Sequence, residues 1–339
     1  MRSKIQNKYT KVQLAPNCFI VKSNTLHSND FSADIAYGLS RKNKFIHSKY
    51  FYDKNGSYLF DKICDLPEYY LTKKEMQILS EINKGLLEHL DGHNMVVELG
   101  SGAATKTRHI FETLSLLHQR IEYYPIDISD IVRESSQRLQ DEFDNLHITG
   151  IVDQYENGLD YIRDISGKKL IVFFGSSIGN FDHAEATEFL KKVNLAMNKG
   201  DLFLLGIDLV KNKEILERAY NDSEGITRQF NLNLLCRIND ELGGNFDIDS
   251  FEHVAIYNLQ ANRIEMYLES KAEQQVSIQD LGMTINFRAG ERICTEYSYK
   301  YTIPQIRTMA KKAGFQIKSI WTDKQDYFAL ALFSKEPKK

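Results

Sequence analysis

The apolar run Met95-Val96-Val97 leads into Glu98-Leu99-Gly100-Ser101-Gly102, and Lys106-Thr107-Arg108-His109-Ile110 opens a helix shortly after it. A strand that ends in an acid and a Gly-x-Gly turn brings main-chain N–H groups to a place where no Cβ keeps a ligand away, as nucleotide-type sites require. The third glycine of the dinucleotide fingerprint is missing, because Ala103 and Ala104 lead to Thr105. The pattern therefore points to S-adenosylmethionine before NAD. In that reading Gly100 belongs to the turn, and Lys106 can reach the carboxylate of the cofactor's methionine part. Asp127, at the end of the next strand, stands about where a carboxylate accepts both ribose hydroxyls. Gln154 and Tyr155, after the third strand, offer an amide and an aromatic face to adenine. Plainer roles compete: Asp127 as a helix cap, with Ser129 and Asp130 available for that task instead, and Lys106 as a solvated surface cation.

A second group of residues suits an amine substrate. A sulfonium methyl donor is already activated, so the protein has only to deliver a neutral nitrogen in line with it. Asn180, past the mouth of the fourth strand, can hold an amine or a carboxylate, or else stabilise its own loop. Glu296 and Ser298 alternate on a strand, so their side chains share one face roughly 7 Å apart. An acceptor and a hydroxyl at that spacing match a ring with two nitrogens, imidazole for example, although alternating polar residues on a hairpin also commonly face water. Tyr52, Tyr69, Tyr70 and Tyr220 supply phenol groups outside the alternating strands and helices, where a core tyrosine with a satisfied hydroxyl is the ordinary explanation.

The elements that must hold these residues alternate from residue 74 on. A helix is predicted over Glu75 to Leu90 from the spacing of Met76, Ile78, Leu79, Ile82, Leu86 and Leu87. Strands are predicted at Ile121 to Ile126, His147 to Val152, Lys169 to Gly175 and Leu202 to Ile207. Between them lie helices over Asp130 to Phe143 and, from an Asp182/Glu185 capping box, through Met197. A helical region from Lys213 to Leu242 stops at Gly243-Gly244. The period then changes to two at Arg263 to Leu268, Gln275 to Ile278, Met283 to Phe287 and Ile293 to Tyr299, the pattern of an antiparallel meander. A helix over Pro304 to Ala313 and two strands, Phe315 to Trp321 and Tyr327 to Phe333, finish the chain. An α/β, Rossmann-like sheet closed by a terminal antiparallel hairpin is the layout of class I methyltransferases. We therefore expect residues 1–19 as a polar arm, an interleaved α+β substrate-binding domain from 20–73 and 211–300, and a methyltransferase domain from 74–210 and 301–336.

Composition narrows the classes further. The 339 residues carry 42% hydrophobic residues, enough for a proper core, and a net charge of −3 with dispersed basic residues, so no nucleic-acid footprint is seen. Four scattered cysteines form no C-x-x-C pair, and the nine histidines form no H-E-x-x-H, so neither a disulfide framework nor a metal site is expected. No apolar run has the length of a bilayer span and no secretion signal opens the chain, which makes a cytoplasmic monomer acting on a small molecule the expectation.

Read together, the segments resemble the L-histidine Nα-methyltransferase family of ergothioneine biosynthesis. The matching runs are Phe51-Tyr52-Asp53 with Gly56-Ser57, Leu66-Pro67-Glu68-Tyr69-Tyr70, Glu98 to Gly102 with Lys106-Thr107-Arg108, and Gly175 to Asn180. Further on they are Gly206 to Lys211, Phe246 to Asp249 with Phe251 to Val254, Arg263 to Met266, and Thr295-Glu296, so that the likeness covers about 30–333. The resemblance implies that Asn180 and Tyr69 hold the amine and carboxylate end of the amino acid, that Tyr220 binds its carboxylate and that Tyr52 closes over the amine. It further implies that Glu296 and Ser298 grip the imidazole, with Met266 shaping that pocket and Phe60 and Gly175 lining the site. Gly100, Lys106 and Asp127 would hold S-adenosylmethionine. The family's Gly-Asp-Phe after the third strand is replaced here by Asp153-Gln154-Tyr155, and its small polar residue after the glycine turn by Ala103. The implied reaction is three methyl transfers to the α-amine of L-histidine, giving hercynine. A methyltransferase for another amino acid or an N-terminal amine, and a non-catalytic protein of the same fold, are the alternatives.

Overall fold

The computed structural model describes residues 9–24 and 30–336. In chain order its strands are β1 (Tyr9–Ala15), β2 (Cys18–Ser23), β3 (Lys44–Phe45), β4 (His93–Leu99), β5 (Ile121–Asp127), β6 (Leu146–Val152), β7 (Lys168–Phe173) and β8 (Leu202–Asp208). They continue as β9 (Phe251–Asn258), β10 (Arg263–Ser270), β11 (Gln274–Ile278), β12 (Met283–Phe287), β13 (Arg292–Tyr299), β14 (Phe315–Thr322) and β15 (Phe328–Lys335). Two compact units emerge, one from the described residues of 1–26, 73–209 and 301–339, the other from those of 27–72 and 210–300.

The first unit is built on a nine-stranded sheet in the order β1-β2-β6-β5-β4-β7-β8-β15-β14. Its centre, β6-β5-β4-β7-β8, is parallel. The apolar run Leu170-Ile171-Val172 in β7 is fully buried, as a strand covered on both faces must be. From β4 the chain winds outward through β5 and β6, and then through β7 and β8 on the other side. The direction of winding reverses between β4 and β7, and such a switch point opens a ligand crevice at the carboxyl ends of these two strands. β15 pairs antiparallel with β8 and with β14, closing that edge with a hairpin. Asp182 and Glu185 form the capping box of helix His183–Ala196, and Thr302 and Gln305 form another at helix Ile303–Lys312.

Several expectations are corrected here. Residues 9–23 are no polar arm: they make the β1–β2 hairpin, and β2 pairs in parallel with β6 because Cys18, Ile20 and Val21 bury against the sheet. The rest of the expected arm, 1–8, lies outside the described residues. The helix expected over Glu75 to Leu90 is two, Tyr70–Glu81 and Asn83–Leu87, with Ile82 between them. Asp130 caps nothing with its side chain and instead pairs with Lys22 at 3.5 Å.

The second unit holds a four-stranded sheet, β3-β13-β10-β9, and a separate two-stranded sheet, β11-β12. The four predicted strands are thus not one meander. β13 returns to pair with β10, and β11–β12 is a hairpin excursion between them, since alternation fixes the buried face of a strand but not its partner. β9 went unpredicted. The helical region splits into Lys213–Tyr220 and Ile226–Leu242, and Gly243, at φ 62°, takes the left-handed conformation that ends the second.

Candidate active site

In the first unit the polar groups of the switch point bind one another. Glu75, from helix Tyr70–Glu81, is completely buried, and both of its carboxylate oxygens accept the Gly175 N–H, at 3.0 and 2.9 Å. The Lys106 ammonium lies 2.7 Å from the same carboxylate. Neutralisation by a lysine and bonding to a main-chain N–H explain how this acid tolerates burial. Glu98 is buried at the end of β4, accepts from Thr107 and Tyr123, and has its carboxyl pushed up to about 7 by desolvation. These bonds pin the loop to the helix after it.

The loop itself is bent around glycine. Gly100 has φ +68°, and a Cβ there would lie 2.7 Å from the Tyr155 hydroxyl. Gly102, at φ +46°, faces open space, and its N–H donates to Asp127 Oδ2 at 3.1 Å. The other Asp127 oxygen accepts the Ser129 N–H and hydroxyl at 3.0 and 2.8 Å. Ser101 is buried, and its hydroxyl has no hydrogen-bond partner among the described residues. A cradle without Cβ atoms, an orphaned hydroxyl, a strand-end carboxylate and a nearby lysine together fit S-adenosylmethionine. Gln154 is exposed, whereas Tyr155 packs edge-on against Phe173, with ring centres 5.5 Å apart. Asp153, beside them, is buried and accepts from Tyr9, Asn157 and the Gln154 N–H, at 2.9, 2.8 and 2.7 Å. Gly175 has φ +75°, and Asn180 closes the short turn Ser177–Asn180 after β7.

Tyr52, Phe60, Tyr69, Tyr220, Met266, Glu296 and Ser298 all fall in the second unit. Asp53 caps helix Lys54–Asp65 by accepting the Gly56 N–H at 2.6 Å, and it also takes the Asn233 amide at 2.8 Å. Gly56 is obligatory there, because a Cβ would sit 1.7 Å from the Phe51 carbonyl oxygen. This corner fixes Tyr52, whose ring lies 5.5 Å from Phe60 and 6.0 Å from Phe230. Phe60 is 6.3 Å from Tyr69, and Tyr69 is 6.4 Å from Tyr220, so five aromatic rings form one cluster. Burial holds the Tyr69 phenol well above its ordinary ionisation range, which keeps it a donor. His253, kept neutral by burial, bonds the Tyr220 carbonyl at 2.8 Å and secures that segment.

At β13 the resources are unspent. Met266 stands opposite Glu296 in the β10–β13 register and is buried. Glu296 is half-buried, and desolvation pushes its carboxyl up to about 7 while the Lys300 charge pulls the other way. No hydrogen bond or ion pair from the described residues reaches that carboxylate. Ser298 accepts from the Tyr220 hydroxyl at 3.0 Å and from the Lys300 ammonium at 2.8 Å, but its own hydrogen has no acceptor among the described residues. The hydroxyl of Tyr220, the residue expected at the carboxylate of the amino acid, is directed to Ser298.

Sequence reasoning missed Glu75, Ser101, Phe230 and Lys300. Glu75 carried a signal, since it shares the apolar stripe of Ile78, Leu79 and Ile82 at helical spacing. Lys300 carried another, four residues from Glu296 in an alternating segment.

A parallel sheet wound from a Gly-x-Gly turn and closed by an antiparallel hairpin defines a class I methyltransferase dependent on S-adenosylmethionine. The chain belongs to the family of S-adenosylmethionine-dependent, histidine-specific methyltransferases, whose model matches residues 31–335. It is 37% identical over 300 residues to the histidine N-alpha-methyltransferase of Mycolicibacterium smegmatis, covering 88% of this chain and 93% of that one. To the protein of the same name from Mycobacterium tuberculosis it is 37% identical, over 89% of this chain and 94% of the other. It is also 30% identical to ergothioneine biosynthesis protein 1 of Neurospora crassa, over 81% of this chain but 32% of that longer protein. The enzyme is therefore an N-methyltransferase with a small-molecule substrate. Among the described residues no helix is long and apolar enough to cross a membrane, and no group of three or more His, Cys, Asp or Glu could hold a metal.

Proposed function

We propose that this enzyme trimethylates the α-amine of L-histidine, giving hercynine as the first step toward ergothioneine. The observation that carries the reading is the pair on β13: among the described residues, one acceptor, Glu296, has no donor, and one donor, Ser298, has no acceptor. Neutral imidazole offers the complement of both, an N–H and a bare nitrogen. When bound, S-adenosylmethionine supplies a methyl group already activated on a sulfonium. Gly100, Lys106 and Asp127 hold that cofactor, with Tyr155 and Gln154 near its base.

The chain's own task is positioning. Asn180 and Tyr52 orient the amine so that its lone pair is directed at the donor, and Tyr69, which stays protonated, donates to the amino-acid end. Gly175 and Phe60 line the site, and Met266 shapes the ring pocket. Tyr220 works through Ser298 at the ring end. Positive charge develops on nitrogen in each transfer, leaves as a proton to water after the first and second and stays after the third, and the faces of Tyr52, Phe60, Tyr69, Tyr220 and Phe230 suit such a cation. The amine must be neutral at every cycle, so activity rises as pH approaches the amine pKa from below. Mass spectrometry after incubation with histidine tests the reading through the mono-, di- and trimethylated series. Equal turnover of leucine would overturn it, and unchanged turnover by Asn180→Ala would remove Asn180 from the mechanism.

A further inference from the structure

Lys300 is completely buried, a costly place for an ammonium, and it sits one residue past the end of β13, the strand that carries Glu296 and Ser298. Its ammonium donates to Ser298 Oγ at 2.8 Å and to the Tyr220 hydroxyl at 3.1 Å. The Tyr220 hydroxyl in turn donates to Ser298 Oγ at 3.0 Å. A serine oxygen has two lone pairs, and an ammonium has donors only. With one lone pair taken by Lys300 and the other by Tyr220, the Ser298 hydroxyl has no acceptor capacity left. It can only donate.

We propose that Lys300 is a specificity-determining positioning residue that locks Ser298 as a donor, so that the site takes the neutral imidazole of histidine in one tautomer. The inference rests on histidine as the substrate. The N–H of that tautomer faces Glu296 and its bare nitrogen faces Ser298. An imidazolium would turn an N–H toward the Ser298 hydrogen, and would do so beside a buried positive charge. Both effects exclude it. A serine without Lys300 is free to rotate, accepting from one ring form and donating to another, and would not discriminate between them.

The test is nitrogen NMR of histidine labelled with ¹⁵N in the ring, bound to the whole protein without methyl donor. The wild-type protein gives one protonated and one bare ring nitrogen as separate signals. In Lys300→Met the two signals move toward each other as the tautomers mix, and KM for histidine rises about tenfold with a smaller change in kcat. Ser298→Ala, which keeps Lys300 and Tyr220 in place, gives the same convergence and covers the case in which Lys300→Met fails to fold. Two protonated nitrogens in the wild-type complex overturn the inference, as does a Lys300→Met protein with wild-type signals and KM. Absence of any bound histidine signal in the wild-type protein overturns the substrate reading and this inference with it, which separates the two failures.

Discussion

The two units spend their polar groups differently. At the switch point of the first, the acids are already satisfied: Glu75 by Lys106 and Gly175, Asp127 by Gly102 and Ser129, Asp153 by Tyr9 and Asn157. On β13 of the second, Glu296 and the Ser298 hydrogen have no partner among the described residues. A loop held together by its own bonds is preorganised for a ligand that every member of such a fold must bind. Unspent donors and acceptors are costly to keep and are worth keeping only where one ligand has to be told from another. On the function we propose, cofactor binding falls to a turn whose acids are already bonded and whose Ser101 hydroxyl is left over among the described residues, and substrate choice to a strand that waits for its partner.

The sharpest way to break this contrast is Glu296→Ala. We expect kcat/KM for histidine to fall by more than about a hundredfold, since the ring N–H loses its acceptor in a buried site, while calorimetry shows S-adenosylmethionine affinity unchanged. A parallel loss of cofactor affinity would erase the distinction between the units. Next in size is Gly100→Ala, whose Cβ would meet the Tyr155 hydroxyl at 2.7 Å in a backbone at φ +68°. Cofactor affinity should drop about tenfold to a hundredfold by calorimetry, with circular dichroism unchanged.

A milder effect comes from pH. The Glu296 carboxyl ionises at about 7, above its ordinary range, so its acceptor form is lost as pH falls through 7. Histidine KM, measured from pH 8 to 6, should rise on the acid side. Glu296→Gln, which cannot ionise, should abolish that contribution. Folding runs the other way: a carboxyl with a raised folded-state pKa stabilises the fold fully below its unfolded pKa and loses that contribution as pH rises through about 7. The smallest expected effect belongs to Tyr9→Phe, which removes the bond to Asp153 and should cost about 1 kcal/mol in denaturant unfolding while sparing turnover.

What could be read before folding was what local pattern controls. The run Leu170 to Phe173 announced a strand buried on both faces, Asp182 with Glu185 announced a helix start, and Gly100-Ser101-Gly102 announced the turn. The β1–β2 hairpin was hidden because its polar outer strand resembles a tail, and only pairing with β6, more than a hundred residues away, orders it. The β10–β13 pairing was hidden for a similar reason: alternation names a face and is silent on the neighbour. Glu296 and Ser298 were legible as a pair from spacing, yet the state of Ser298 depends on Tyr220, 78 residues distant in the chain, and no periodicity reveals that.

Leu209 and Tyr301 bridge in parallel, and the Tyr301 N–H donates to the Asp208 carbonyl at 3.0 Å. The long excursion Val210–Lys300 thus departs from β8 and comes back to it at adjacent rungs, like a drawer whose two runners share one frame. A protein engineer who exchanges the contents of that drawer must carry residues 27–72 with them, because β3 pairs with β13 and Asp53 accepts from Asn233, while the frame keeps its hydrogen bonding. Lys300 is the last residue before the return, so a transplant that trims the seam by one position would discard the residue that tells one ring form from another.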